Sequence, residues 1–149
     1  MLVQQDIPVA DEIDRLETLD LLNRKPRRLP KSPKGVPVPT EDQVQRAVIK
    51  LVERHGGRAV AVENETKRKL GRNGMFARRA RGVVAGTSDL FTFWKNGVCV
   101  PVECKRPGGA VRPEQDDFLA LMERLGFVAG IVCSVDEAEA LFRRAGVVA

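Results

Sequence analysis

The feature that most constrains this chain is the tripeptide Lys95-Asn96-Gly97, which lies between two apolar runs, Ser88–Trp94 and Val98–Lys105. Asn-Gly favours the left-handed backbone of a tight reversal, and extended runs flanking such a turn pair antiparallel. Side chains alternate faces along a strand, so Val98, Val100, Val102 and Cys104 form one apolar face while Glu103 and Lys105 share the other. The same hairpin sets Asp89, near the start of the first strand, roughly opposite the Glu103–Lys105 region. Two acids and a lysine therefore converge on a strand pair too apolar to lie wholly in water.

Around the hairpin, the hydrophobic periods predict an α/β domain. Thr40 and Gln43 have capping-box spacing, and Val44, Ala47, Val48, Leu51 and Val52 form a helical stripe that stops at Gly56-Gly57. Arg58–Val62 reads as a strand. Pro113 opens a second helix, with Phe118, Leu119, Met122 and Leu125 expected inward and an end at Gly126. Phe127–Cys133 reads as a buried strand and Asp136–Arg144 as a last helix with Ala138, Leu141 and Phe142 on its inner side. The order of helix, strand, hairpin, helix, strand and helix implies a central mixed β-sheet of about four strands flanked by helices.

Two stretches fall outside these periods. Glu65–Gly86 is Gly-rich and basic, the kind of long loop that is functional or disordered in a small domain. Residues 1–39 read as an arm before a domain spanning 40–149. Within it, Asp11–Asn23 carries Ile13, Leu16, Leu19 and Leu22 at the spacing of a short amphipathic helix, which is too short to fold alone and must dock on the domain, a second copy or a partner. Lys25–Pro39 holds five prolines among basic residues and reads as an extended linker.

Charge distribution narrows the partners. The net charge is only +5, but Arg24, Lys25, Arg27, Arg28, Lys31 and Lys34 form one acid-free cluster, and Lys67, Arg68, Lys69, Arg72, Arg78, Arg79 and Arg81 form another. One such run is most simply a solvated loop; two in 149 residues favour a phosphate backbone as partner. Met1–Asp6 has neither a basic nor an apolar leader pattern, and no apolar stretch approaches the length of a membrane span, so a cytoplasmic protein is expected. Cys99, Cys104 and Cys133 lack CxxC spacing and read as reduced core thiols.

Phosphodiester hydrolysis suits the hairpin residues. A hard divalent cation held by carboxylate oxygens polarises the phosphate and acidifies a water, for which Asp89 and Glu103 are the candidate ligands and the Cys104 carbonyl a further one. A lysine beside them, Lys105, can orient or deprotonate that water and offset charge in the transition state. The plain alternative is a cross-strand salt bridge. Gln115 shifts the balance, because it lies on the buried stripe of its helix where a polar group needs a partner. Glu41, with Gln45, stands beside the stripe of the first helix, although a glutamate in a first helical turn is ordinary. Other nuclease chemistries fail: there is no tyrosine for a GIY-YIG site, and one histidine, His55, is too few for HNH. Gly86-Thr87-Ser88-Asp89-Leu90 lacks the final glycine of a serine-hydrolase elbow, and no Walker A pattern is present.

Taken in order, Glu41 with Gln45, Asn64, Gly86-Thr87-Ser88-Asp89-Leu90, Val102-Glu103-Cys104-Lys105 and Gly108–Gln115 resemble the VRR-NUC (virus-type replication and repair nuclease) branch of the PD-(D/E)XK nucleases, in its small stand-alone phage and bacterial form. The resemblance runs from Thr40 to about Arg144. It implies a restriction-endonuclease-like core and a nuclease using Mg²⁺ or Mn²⁺, with Glu41, Asp89, Glu103, Lys105 and Gln115 as the active site and Glu41 joining the metal ligands. It further implies a homodimer acting on branched DNA such as four-way junctions or flaps in DNA repair. Ser88 stands where the family usually has proline, and Arg112 where a serine often caps the helix; both bear on local geometry. Lys67–Arg81 is expected to grip the phosphate backbone near the scissile bond. The competing readings are a non-catalytic DNA-binding module and an adaptor that recruits a replication or repair protein through Asp11–Asn23.

Overall fold

A computed structural model describes residues 24–62 and 85–149; the helix read at Asp11–Asn23, Asn64 and the basic stretch Lys67–Arg81 lie outside the described residues. Helix α1 (Glu41–Arg54) begins as the capping pattern predicts. Thr40 Oγ1 accepts from the Gln43 backbone N–H at 3.2 Å, and Gln43 Oε1 accepts from the Thr40 N–H at 2.9 Å. The helix stops at His55, where Gly56 takes φ +79°.

Strands β2 (Arg58–Ala61), β3 (Leu90–Phe93) and β4 (Cys99–Cys104) follow, with β3 and β4 antiparallel and Leu90 opposite Val102. Gly97 turns the hairpin at φ +71°, and the Trp94 N–H closes it on the Val98 carbonyl at 3.0 Å. Helix α2 (Pro113–Arg124) then crosses over to β6 (Gly130–Val132), which runs parallel to β4, and α3 (Val135–Arg144) completes the chain behind a Ser134 cap. The sheet order is β2-β3-β4-β6, so β4, the strand that bears Glu103, is an inner strand.

One sheet face carries the core. Val44, Val48, Leu51 and Val52 from α1 and Ala138, Leu141 and Phe142 from α3 close over Leu90, Trp94, Val100, Val102, Cys104 and Val132. Trp94 meets Phe142 edge-on at 5.0 Å. The buried Thr92 is fully satisfied: its hydroxyl donates to the Val100 carbonyl at 2.9 Å and accepts from the Trp94 indole at 3.0 Å. Helix α2 takes the opposite face, where Phe118 packs edge-on against Phe91 at 6.2 Å. That face also bears Glu103, which is 0% exposed.

The structure departs from the periodic reading in two places. Leu125 is 62% exposed rather than inward, and Phe127, at 39%, stands outside a strand that starts only at Gly130. Along the stripe of α2, Phe118 and Leu119 are buried, Met122 is half-buried and Leu125 is exposed, so burial falls off toward the helix end. The Lys25–Pro39 segment, read from the sequence as an extended linker, contains a paired stretch and a turn at Lys34–Val36. Its Arg27–Arg28 forms β1 against β5 (Ala110–Val111) in a separate antiparallel ladder. Among the described residues, no helix is long and apolar enough to cross a membrane.

Candidate active site

The hairpin register brings the first two groups together. Asp89 precedes Leu90 and so lies opposite Glu103, one step beyond the Leu90–Val102 pair. Its Oδ2 accepts from the Cys104 N–H at 3.0 Å, and its own N–H donates to Glu103 Oε2 at 3.3 Å. Glu103 Oε1 accepts from Lys105 Nζ at 3.0 Å and also from the side-chain amide of Gln115. Glu41, the first residue of α1, reaches the far side of the lysine, with Oε1 3.9 Å from Nζ. The five residues singled out in the sequence thus meet in one place. Four are buried or half-buried there; the Glu41 side chain stands at the rim, 49% exposed.

Gln115 reaches this point because α2 starts where it does. Arg112 occupies the N-cap without a side-chain cap, and Gln115, three residues on, accepts from the Arg112 backbone N–H through Oε1 at 3.0 Å. With its oxygen so committed, the amide nitrogen is the end that faces Glu103.

Burial of two carboxyls with one ammonium leaves the site electrostatically unbalanced. Removal from water, followed by repulsion from Asp89, raises the Glu103 carboxyl to about 7, against a partial lowering by Lys105. Asp89 is raised too, chiefly by burial, and the Cys104 N–H and Lys105 oppose the rise. A cation near these oxygens would relieve that cost directly. Burial and the neighbouring acids push the Cys104 thiol well up, so it stays protonated and only its backbone takes part in the site. The three thiols are free.

The donor set fits a hard divalent ion. Among the described residues no three His, Cys, Asp or Glu side chains come together as a ready cage; the candidate oxygens are those of the adjoining Asp89 and Glu103, the backbone carbonyl of Cys104 next to Glu103, and Glu41 at the rim beyond Lys105. Mg²⁺ accepts such a sparse set because it keeps several waters.

Sequence reasoning did not anticipate two supports of the site. Gly86 takes φ +76°, and a Cβ there would lie 2.0 Å from the Glu114 carbonyl oxygen, so the chain entering Asp89 rests directly on the first turn of α2. The glycine stood in the family-like motif, but its reason is tertiary. Ser88 is fully buried, and its hydroxyl has no hydrogen-bond partner among the described residues. The second support is the arm: Arg27 and Arg24 engage Asp116 and Asp117 of α2, a pairing that nothing in the local pattern signals.

A four-stranded mixed sheet flanked by helices, with an acid pair and a lysine at one end of the central hairpin, is the restriction-endonuclease-like architecture of nuclease cores. The VRR-NUC domain model matches residues 39–137, and the chain belongs to that family of nuclease domains. No curated protein and no solved structure matches the chain.

Proposed function

We propose that this chain is a deoxyribonuclease that hydrolyses phosphodiester bonds with Mg²⁺ or Mn²⁺, prefers branched DNA such as four-way junctions or flaps, and works in the cytoplasm as a homodimer. The observation that carries the reading is the convergence of Asp89, Glu103, Lys105 and Gln115 at one buried point, with Glu103 accepting from Lys105 at 3.0 Å. A structural salt bridge would need one acid; here a second acid is buried beside the first, at an electrostatic cost that a cation would remove.

Asp89 and Glu103 would hold the ion, with the Cys104 carbonyl and Glu41 completing the protein's share. When bound, the ion supplies Lewis acidity to the phosphate and a water of lowered pKa. The protein's own groups do the rest. Gln115 keeps the Glu103 carboxylate oriented by donating from its side-chain amide nitrogen to Glu103 Oε1. Lys105 donates from Nζ to the attacking water or to a non-bridging phosphate oxygen, offsetting the charge that grows there. Glu41, on the solvent side of the ammonium, orients it toward the phosphate. We assign Lys67, Arg68, Lys69, Arg72, Arg78, Arg79 and Arg81 to gripping the backbone, contacts that position DNA without reading its bases. The arm before Thr40 is the candidate contact for a replication or repair protein.

Cleavage of end-labelled duplex, flapped and four-way-junction DNA with Mg²⁺, Mn²⁺ or EDTA tests the reading. Metal-dependent cutting is expected, greatest on branched DNA, and Lys105→Ala should lower it by about a hundredfold or more. Binding of all three substrates with no cutting under any metal would instead make the chain a DNA-binding module.

A further inference from the structure

Residues 24–31 lie before the family-matched segment, yet they touch the stretch that joins the two halves of the site. Lys105 and Gln115 stand at the ends of that stretch, and its middle, Gly108–Val111, is held mainly by the arm. Arg27 and Arg28 pair with Val111 and Ala110. The Leu29 N–H donates to the Gly109 carbonyl at 3.0 Å, and the Gly108 N–H donates to the Pro30 carbonyl at 2.8 Å. Gly109, so held, lies beside Glu41: a Cβ on it would come 3.6 Å from Oε1.

The arm also grips α2 at its first turns. The Arg27 guanidinium takes Asp116 in a fork, Nε to Oδ2 at 2.8 Å and Nη2 to Oδ1 at 2.7 Å. Arg24 makes a second fork on Asp117, with Nη1 to Oδ1 at 2.9 Å. Asp116 is the residue after Gln115. Both arginines come from the basic cluster that the sequence assigns to phosphate, but their guanidinium groups are committed within the chain.

From this placement we infer that Arg27, with the β1 ladder, is a positioning residue: it clamps β5 and the first turn of α2 so that Gln115 stays on Glu103, and it governs turnover rather than DNA affinity. The inference rests on the nuclease reading for its effect on turnover. An exposed ion pair contributes little to folding, so its loss should loosen the clamp without unfolding the domain. Bidentate geometry beside a backbone ladder is the setting in which such a pair fixes a position.

The test compares full-length wild type, Arg27→Asp, Asp116→Arg and the double reversal. Three readouts are taken: kcat and KM for cleavage, salt-dependent DNA binding in EDTA, and hydrogen exchange of the Gln115 side-chain amide and Val111 backbone N–H by NMR. Each single reversal should lower kcat at least fivefold, change DNA affinity less than twofold and speed both exchanges about tenfold. The double reversal should return all of these to within threefold of wild type. Unchanged exchange in Arg27→Asp would overturn the clamp. So would weaker binding with a flatter salt slope that the double reversal fails to restore, which would make Arg27 a phosphate contact. If wild type cuts no DNA, the nuclease reading falls and the exchange measurements alone decide the clamp.

Discussion

Among the carboxyl groups, Glu103 is the one whose ionisation the fold resists most clearly. Its carboxyl is raised from 4.5 to about 7 by burial and by Asp89, so the folded state holds the proton that the unfolded state has already lost. The sign follows. Stability from this group is fully present below pH 4.5, declines as pH rises, and is gone above about 7. Between pH 5 and 8, in EDTA, wild type should lose about 2 kcal/mol more stability than Glu103→Gln, which cannot titrate. Denaturant melts of both proteins across that range check this, and parallel curves would show that Glu103 is not the group responsible. In the ionised state the carboxylate needs a positive partner beyond Lys105, which is why the same residue that is costly to the metal-free fold is the strongest candidate ligand.

Elements act on the site through their ends and turns. Gly97 and Gly86 have nearly the same left-handed φ, +71° and +76°, but a Cβ at Gly97 meets nothing within 4 Å while one at Gly86 meets the α2 backbone. Gly97→Ala should therefore cost only the backbone strain, about 1 kcal/mol, and leave cleavage intact. Gly86→Ala must displace the start of α2 as well; about 3 kcal/mol of stability should go, along with cleavage, because Gln115 moves with that turn. Equal losses in the two variants would show that the contact is not rigid. Helix α2 also shows where periodicity misleads. Phe118 and Leu119 are buried as the stripe predicts, but Leu125 faces out, because a helix's apolar spacing does not state how far the opposing sheet extends. Phe127 opens an apolar run that reads as a buried strand yet is itself exposed, because an apolar run marks what can be buried, not what is covered.

For the molecule as a whole, the two basic clusters now differ. Arg24 and Arg27 of the first are paired with acids of α2, whereas the second is the one proposed above to grip the phosphate backbone. Each phosphate contact contributes about 0.9 to the slope of log affinity against log salt. Replacing Arg78, Arg79 and Arg81 with alanine should flatten that slope by about 3, uniformly across duplex and branched DNA. An unchanged slope would remove this stretch from the DNA-binding surface.

The sequence by itself determined whatever depends on near neighbours. The Asn-Gly turn set the β3–β4 register and so placed Asp89 opposite Glu103; strand alternation put Glu103 and Lys105 on one face; Thr40 and Gln43 started α1. These follow from backbone sterics and local hydrogen bonds, which a short window of residues contains. Only the tertiary structure decided that Glu103 is wholly buried, since this requires α2 to lie on the polar side of β4 and bring Gln115 to it. The same holds for Gly86 against Glu114 and for Arg27 against Asp116, partners 89 positions apart. Contacts of that span depend on how layers stack and where a helix begins over a sheet, and no local pattern of charge or apolarity records it.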